Sequence, residues 1–161
     1  MTVLGIDPGL ERIGFGVVRR TGSQLEVVEH GLIKTPRVAT PDRLEILYRE
    51  VCALVDRTQP DAVATERLFF AKNQTTAIDV AKALGVVQLA CAQRGFACTE
   101  YSPPEVKLSV VGNGAAEKAQ VGFMVVKLLG LAELPKPDDV ADALAVALTH
   151  ALRANAALSH V

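Results

Sequence analysis

Carboxylate side chains interrupt or terminate three apolar segments of this sequence. Asp7 and Glu66 each end a short apolar run, and Asp142 lies inside the longest apolar stretch, one helical turn after Asp139. A buried carboxylate is costly unless a cation balances it, and no Lys or Arg is interleaved closely enough in the sequence to do so. We therefore predict that carboxylates from distant segments converge on a hard divalent cation.

The predicted ligands are carboxylate oxygens only, without His or Cys. Such a set favours Mg²⁺ over Zn²⁺, with Mn²⁺ able to substitute. Four carboxylates can hold two ions about 3.5–4 Å apart, an arrangement that suits in-line displacement at a phosphodiester. One ion would activate a water nucleophile and the other would stabilise the leaving 3′-oxygen. The acids thus predict a metal-dependent enzyme with two ions in its active site.

Each acid also has a purely structural explanation. Asp7 precedes Pro-Gly and could be a turn residue, and Glu66 could pair with the arginine that follows it. Asp138 and Asp139 could both start a helix, where the macrodipole favours acids, and for Asp138 this is the preferred interpretation. Asp142 is the hardest to explain in this way because its neighbours are apolar. The conjunction of the acids carries more weight than any one of them.

Hydrophobic periodicity and turn residues predict the elements that position these acids. Three strands are predicted before residue 35, with a hairpin turn at Thr21-Gly22-Ser23. A helix is predicted to begin with Thr40 as its N-cap and Pro41 as its first residue. The later strands are predicted at 62–66 and 96–101, and the later helices at 73–94, 103–110, 115–130 and from 138 to about 155. This order predicts an α/β domain with a mixed five-stranded sheet, in which Asp7 and Glu66 are neighbours.

Length and composition fit one globular domain over 1–161, since half of the residues are apolar and 22% are charged. No apolar run is long enough to span a membrane, and the start of the chain has no signal-peptide pattern. Cys52, Cys91 and Cys98 lack the paired spacing of a zinc site and are expected to be reduced thiols. We therefore expect a cytoplasmic protein. The net charge of −1 does not decide whether it binds nucleic acid.

Four stretches together resemble the RuvC family of Holliday junction resolvases and span nearly the whole chain in the family's order. They are Gly5–Gly9, Glu66–Asn73, Val106–Gly114 with Ala116–Val121, and Asp139–Ala145 running to Thr149 and His150. The resemblance implies a ribonuclease H-like fold and a Mg²⁺-dependent endonuclease that resolves four-way DNA junctions in recombination and repair. Two sites of a homodimer would make symmetric paired nicks that leave 5′-phosphate and 3′-hydroxyl ends. A branch-migration complex of the RuvAB type is a further implied partner.

The resemblance assigns catalysis and metal binding to Asp7, Glu66, Asp139 and Asp142. Asp138 has no obvious counterpart in the family and competes with Asp139 for its role. Some family members continue into a basic carboxy-terminal tail, which this sequence lacks, so we do not expect contacts from such a tail.

The residues expected to contact DNA lie in two segments. The family's junction-contacting aromatic corresponds to Phe69, and its important lysines correspond to Lys107 and Lys118. The full set is Phe69, Phe70, Lys72, Asn73, Lys107 and Lys118. An aromatic on a loop can stack on an unpaired base, which is worth about 1–3 kcal/mol. Phe70 is equally well explained as a core residue, and either lysine alone as a solvated surface group. Lysine contacts to phosphate would supply affinity without reading sequence.

The helix predicted over 73–94 is too apolar on all sides for an ordinary surface helix. Burial inside the monomer is one explanation. A two-fold interface is the other, with Gly85 allowing close approach of a second helix.

Two other functions fit parts of the sequence. An actin-like ATPase or sugar kinase also begins with Asp-x-Gly on its first strand, but such a fold needs a second domain, for which 161 residues leave no room. A non-catalytic junction-binding module would keep the fold without the chemistry, but all four acids are present. The leading hypothesis is a Mg²⁺-dependent, structure-selective endonuclease.

Overall fold

The computed structural model describes residues 1–68 and 74–158 of the chain. Five strands form one sheet in the order β3-β2-β1-β4-β5. β1, β2 and β3 are an antiparallel meander, whereas β4 pairs parallel to β1 and β5 parallel to β4. The strands are β1 (Thr2–Asp7), β2 (Arg12–Thr21), β3 (Gln24–Lys34), β4 (Ala62–Glu66) and β5 (Cys98–Tyr101). The predicted mixed five-stranded sheet is confirmed.

Helices cover both faces of this sheet. They are α1 (Thr40–Thr58), α2 (Gln74–Ala92), α3 (Pro103–Val111), α4 (Lys118–Leu129) and α5 (Asp138–Leu158). The predicted α/β class is thus confirmed, and the elements differ from the predicted ranges mainly at their ends. Within the described residues, no helix combines the length and the apolar composition that crossing a membrane requires.

The predicted N-cap of α1 is wrong by one residue. Ala39 occupies the cap position with an extended backbone, and Thr40 is already helical. No side chain makes the capping hydrogen bond. Pro41 misled the prediction because proline is tolerated throughout the first helical turn, so its position does not fix which preceding residue is the cap.

The two faces of the sheet bury two separate apolar clusters. Because strand side chains alternate, Leu4 and Ile6 of β1 pack toward α1 and α2, whereas Val3 packs toward α3, α4 and α5. Gly5 belongs to this second face, where it meets the backbone of α5. The same alternation places Asp7, the last residue of β1, on the α5 face.

Candidate active site

Two of the predicted acids lie at neighbouring strand ends. β1 and β4 are parallel with Ile6 opposite Thr65, so Asp7 and Glu66 follow side by side at the carboxyl ends of their strands. Ala64 packs in the cluster on the α5 face, and the alternation of side chains gives Glu66 that face as well. The sheet therefore presents both carboxylates to α5.

Glycines in β1 and β2 allow α5 to lie against the sheet at very short distance. A Cβ on Gly5 would stand 2.1 Å from the carbonyl oxygen of Ala143, and one on Gly14 would stand 2.0 Å from that of Asp139. Any side chain at either position would push the helix away. This close approach was not predicted, although glycine inside a strand often marks a site where another backbone comes near. It brings Asp139 and Asp142 over the strand ends.

The raised pKa of Asp7 reflects the nearness of the other three acids. The pKa of Asp7 is raised to about 8, first by burial and then by the negative charges of Asp142, Glu66 and Asp139, in that order, whereas the charge of Lys118 lowers it. A carboxylic acid titrates so high only where its anion is poorly solvated and close to like charges. Asp7 is therefore at the centre of the acidic group.

Glu66 and Asp142 are perturbed in the same direction. Burial raises the pKa of Glu66, and the charge of Asp142 adds to this effect. Burial also raises the pKa of Asp142, although the hydrogen bond and the charge of Lys118 act against it. The group therefore concentrates more negative charge than its partly buried surroundings stabilise, which is the electrostatic setting of a cation site.

Two basic side chains contact the acids of α5. Nζ of Lys118 lies 2.8 Å from Oδ2 of Asp142 and 3.2 Å from Oδ2 of Asp138, and Nε of Arg12 lies 2.9 Å from Oδ2 of Asp139. The expectation that no Lys or Arg pairs with these acids is therefore wrong for α5. The partners come from segments far away in the sequence, so inspection of adjacent residues could not find them.

Oδ2 of Asp139 lacks a hydrogen-bond partner among the described residues. Arg12 is near enough for charge attraction, but its N–H does not meet the angular requirement of a hydrogen bond. A buried carboxylate oxygen without a hydrogen bond is costly, and coordination to a cation would satisfy it. The side chain of Asp139 is 21% exposed and that of Asp138 is 74% exposed. Burial thus favours Asp139 of the two as a ligand.

The carboxylates converge without forming a preorganised ligand set. Across residues 1–68 and 74–158, no three Asp, Glu, His or Cys side chains stand together in a way that would hold an ion. Oxygens of the α5 acids are instead turned toward Arg12 and Lys118. The four carboxylates supply oxygen donors only, and one of these oxygens is unsatisfied. This donor set fits Mg²⁺. An ion bound to Oδ2 of Asp139 or to Oδ2 of Asp142 would compete with Arg12 or with Lys118 for that oxygen.

The interpretation that Glu66 simply pairs with Arg67 finds no support. Nη2 of Arg67 is 3.5 Å from the carbonyl oxygen of Glu100, on the neighbouring strand. The cation that lowers the pKa of Glu66 is Lys118, not Arg67. Glu66 therefore belongs electrostatically to the acidic group.

A cavity of about 380 Å³, which we call the lysine cavity, opens beside Glu66 and Asp142. Lys107 of α3 and Lys118 of α4 both line it. Two of the residues predicted to contact DNA thus border two of the predicted catalytic acids. The other four predicted DNA contacts lie outside the described residues: Phe69, Phe70, Lys72 and Asn73.

Comparison with known proteins identifies the family. The family model described as "Crossover junction endodeoxyribonuclease RuvC" matches residues 3–150. The chain belongs to the RuvC family. A RuvC of Caldicellulosiruptor saccharolyticus is 48% identical over 160 residues, which cover 98% of this chain and 96% of that protein. A RuvC of Alkaliphilus metalliredigens is 51% identical over 152 residues, 94% of this chain and 93% of its own.

A solved RuvC structure matches the fold in detail. Thermus thermophilus RuvC in complex with a Holliday junction substrate superposes with a TM-score of 0.91 at 38% identity, covering 98% of this chain and 96% of that chain. The predicted RuvC family and ribonuclease H-like fold are therefore confirmed. In this RuvC chain, Asp7 and Glu66 lie at neighbouring strand ends, and Glu66 and Asp142 line the lysine cavity.

Proposed function

We propose that Asp7, Glu66, Asp139 and Asp142 are the catalytic metal ligands of this chain. Its family gives the activity: it is a crossover junction endodeoxyribonuclease of recombination and repair. The observation that carries the assignment to these residues is the pKa of Asp7, about 8, raised by burial and by the other three acids. Such a group is stabilised by a cation more than by any neutral partner.

The RuvC family is metal-dependent, and we infer that the ion is Mg²⁺, replaceable by Mn²⁺, with two ions per site. When bound, they would activate the attacking water and stabilise the leaving 3′-oxygen, giving 5′-phosphate and 3′-hydroxyl ends. The chain's own contribution is to hold the four carboxylates at one place through the close packing of α5 on Gly5 and Gly14. Lys107 and Lys118 would hold backbone phosphates in the lysine cavity.

One assay tests substrate and reaction together. We expect the protein with Mg²⁺ to make paired nicks in a four-way junction and to leave linear duplexes of the same arms intact, because a two-fold dimer suits a junction with two cutting positions. Contacts to phosphate alone would not distinguish the two substrates. Electrophoresis of end-labelled strands under denaturing conditions reads both outcomes, and EDTA should stop the cutting. Equal cutting of the linear duplexes would contradict structure selectivity. Binding without cutting in both Mg²⁺ and Mn²⁺ would instead favour a non-catalytic module.

We further infer that α2 forms a homodimer interface. Its inner face is buried in the monomer, as Ala83 and Val87 illustrate. Its outer face presents Ile78 at 54% and Leu89 at 51% exposure, and a Cβ at Gly85 would meet nothing within 4 Å. These three outer positions share one helical face. An exposed apolar face with a small residue between large ones suits a second copy of the helix, and a two-fold dimer suits a junction with two cutting positions.

Leu89→Glu should therefore weaken the dimer. A charge on each copy of a two-fold interface is expected to raise the dissociation constant by at least about tenfold, or about 1.4 kcal/mol. Sedimentation equilibrium measures this constant. Leu108→Glu on α3 is the matched control, because Leu108 is 52% exposed but lies on another surface. Equal dissociation constants for the two variants would exclude α2 as the interface.

Three further expectations remain predictions. A branch-migration complex of the RuvAB type as a partner is carried by family resemblance alone. The cytoplasmic location and the treatment of 1–161 as a single domain also stay proposals.

A further inference from the structure

A second hollow, of about 430 Å³, borders the acidic group at Asp139. It shares no lining residue with the lysine cavity, which borders the group at Asp142. Arg12 at the start of β2 and Arg43 in α1 both line it, and we call it the arginine hollow. Basic residues thus stand at two separate flanks of the acids.

Arg43 is held in place by the side chain of Thr35. Its Nε donates a 2.9 Å hydrogen bond to Oγ1 of Thr35, and that hydroxyl donates to the carbonyl oxygen of Leu10 at 2.7 Å. In the part of the chain that the structure describes, its two terminal nitrogens make no hydrogen bond or ion pair. A guanidinium fixed at Nε presents the rest of its planar fork to a ligand, and phosphate is an anion that this fork matches.

Among residues 1–68 and 74–158, Asp139 is the one ion-pair partner of the Arg12 side chain. The Arg12 side chain is 51% exposed, and the 2.9 Å contact from Nε to Oδ2 is not a hydrogen bond of good geometry. A divalent cation at Asp139 would compete for the same oxygen with twice the charge. It would also repel the guanidinium, because like charges a few ångströms apart repel strongly in a partly buried site. Arg12 would then need another anion.

We propose that Arg12 and Arg43 form a second phosphate-binding site for the DNA backbone, and that Arg12 turns to DNA when a cation replaces it at Asp139. This inference rests on the proposed function, since it takes Asp139 as a metal ligand. The hollow also contains Glu11 and Asp79. Asp79 has Lys82 at 3.6 Å, and Glu11 is exposed to solvent, which screens its charge.

The distinguishing consequence is that the contribution of Arg12 to DNA affinity depends on the metal. With Ca²⁺ in place of Mg²⁺, Arg12→Gln should weaken junction binding about tenfold and reduce the slope of log affinity against log salt by about one. In EDTA the same substitution should have little effect, because Asp139 engages the guanidinium there. Arg43→Gln should reduce affinity in both conditions. Fluorescence anisotropy with a labelled junction measures these constants, and denaturing electrophoresis afterwards verifies that the DNA is intact.

Arg19→Gln is the matched control. Arg19 lies on the same strand as Arg12, is 48% exposed, and pairs with Glu26 at 3.2 Å at the other end of β2. The Arg19→Gln substitution removes the same charge and a similar ion pair. Its effect on junction affinity should therefore not depend on the metal. If Arg12→Gln behaves like Arg19→Gln while Asp139→Asn still abolishes cutting, this inference is wrong and the proposed function stands. If Asp139→Asn cuts normally, the ligand assignment itself is wrong.

Discussion

Replacement of Asp7 by Asn is expected to reduce junction nicking by at least about a thousandfold. Asp7 is the carboxylate whose pKa responds to all the other predicted ligands, so it lies at their centre. A neutral amide would hold a divalent cation much less tightly there. Metal stabilisation of the transition state amounts to several kcal/mol, and each 1.4 kcal/mol or so is a tenfold change in rate. Junction affinity measured in EDTA should remain intact, because phosphate contacts by basic residues supply it there.

The matched control for this substitution is Asp61→Asn. Asp61 stands at the opposite end of the same pair of strands, where Oδ2 accepts a 2.6 Å hydrogen bond from the backbone N–H of Thr2. The Asp61→Asn variant loses the same charge and keeps an acceptor oxygen, so it should nick junctions at the wild-type rate. Single-turnover nicking with excess protein compares the two variants directly. A wild-type rate for Asp7→Asn would show that Asp7 is not a ligand.

The sequence was sufficient to predict the sheet and the pair of acids on it. Alternating apolar residues and the turn at Gly22 define β1, β2 and β3, and helical periodicity separates β4 from β5. Parallel neighbours end at the same edge of a sheet, which is why Asp7 and Glu66 could be placed together before any coordinates. These inferences use only local pattern and strand geometry.

The sequence was not sufficient to predict how the acids are held. The depth at which α5 packs depends on Gly5 and Gly14 facing its backbone, and this is a property of the tertiary contact. The ion pairs of Arg12 and Lys118 with the α5 acids likewise join distant segments. Side-chain partners of this kind leave no periodic signal, so the sequence alone indicated no basic partner for the acids.

The clustering of acids has a measurable effect on stability in the absence of divalent cations. The pKa of Asp7 is about 8 in the folded chain, against 3.8 for an unperturbed aspartate. Between these values the folded state binds a proton that the unfolded state has already lost, so the free energy of unfolding falls as pH rises from about 4 to about 8. Above pH 8 both states are deprotonated, and the full penalty persists. Glu66 and Asp142 act in the same direction, because their pKa values are also raised.

Asp7→Asn should therefore stabilise the protein in EDTA at pH 8 to 9, where wild type carries the full penalty. The gain is expected to be on the order of a few kcal/mol, or roughly 5–10 °C in Tm for a chain of this size. It should shrink toward zero near pH 4, and it should diminish in Mg²⁺, which stabilises the wild-type fold by binding to it. Thermal unfolding followed by circular dichroism across this pH range measures the effect, with Asp61→Asn expected to stay near wild type. An unchanged or lower Tm for Asp7→Asn in EDTA at pH 8 would contradict the convergence of these carboxylates, because removing one negative charge from a crowded group must relieve repulsion.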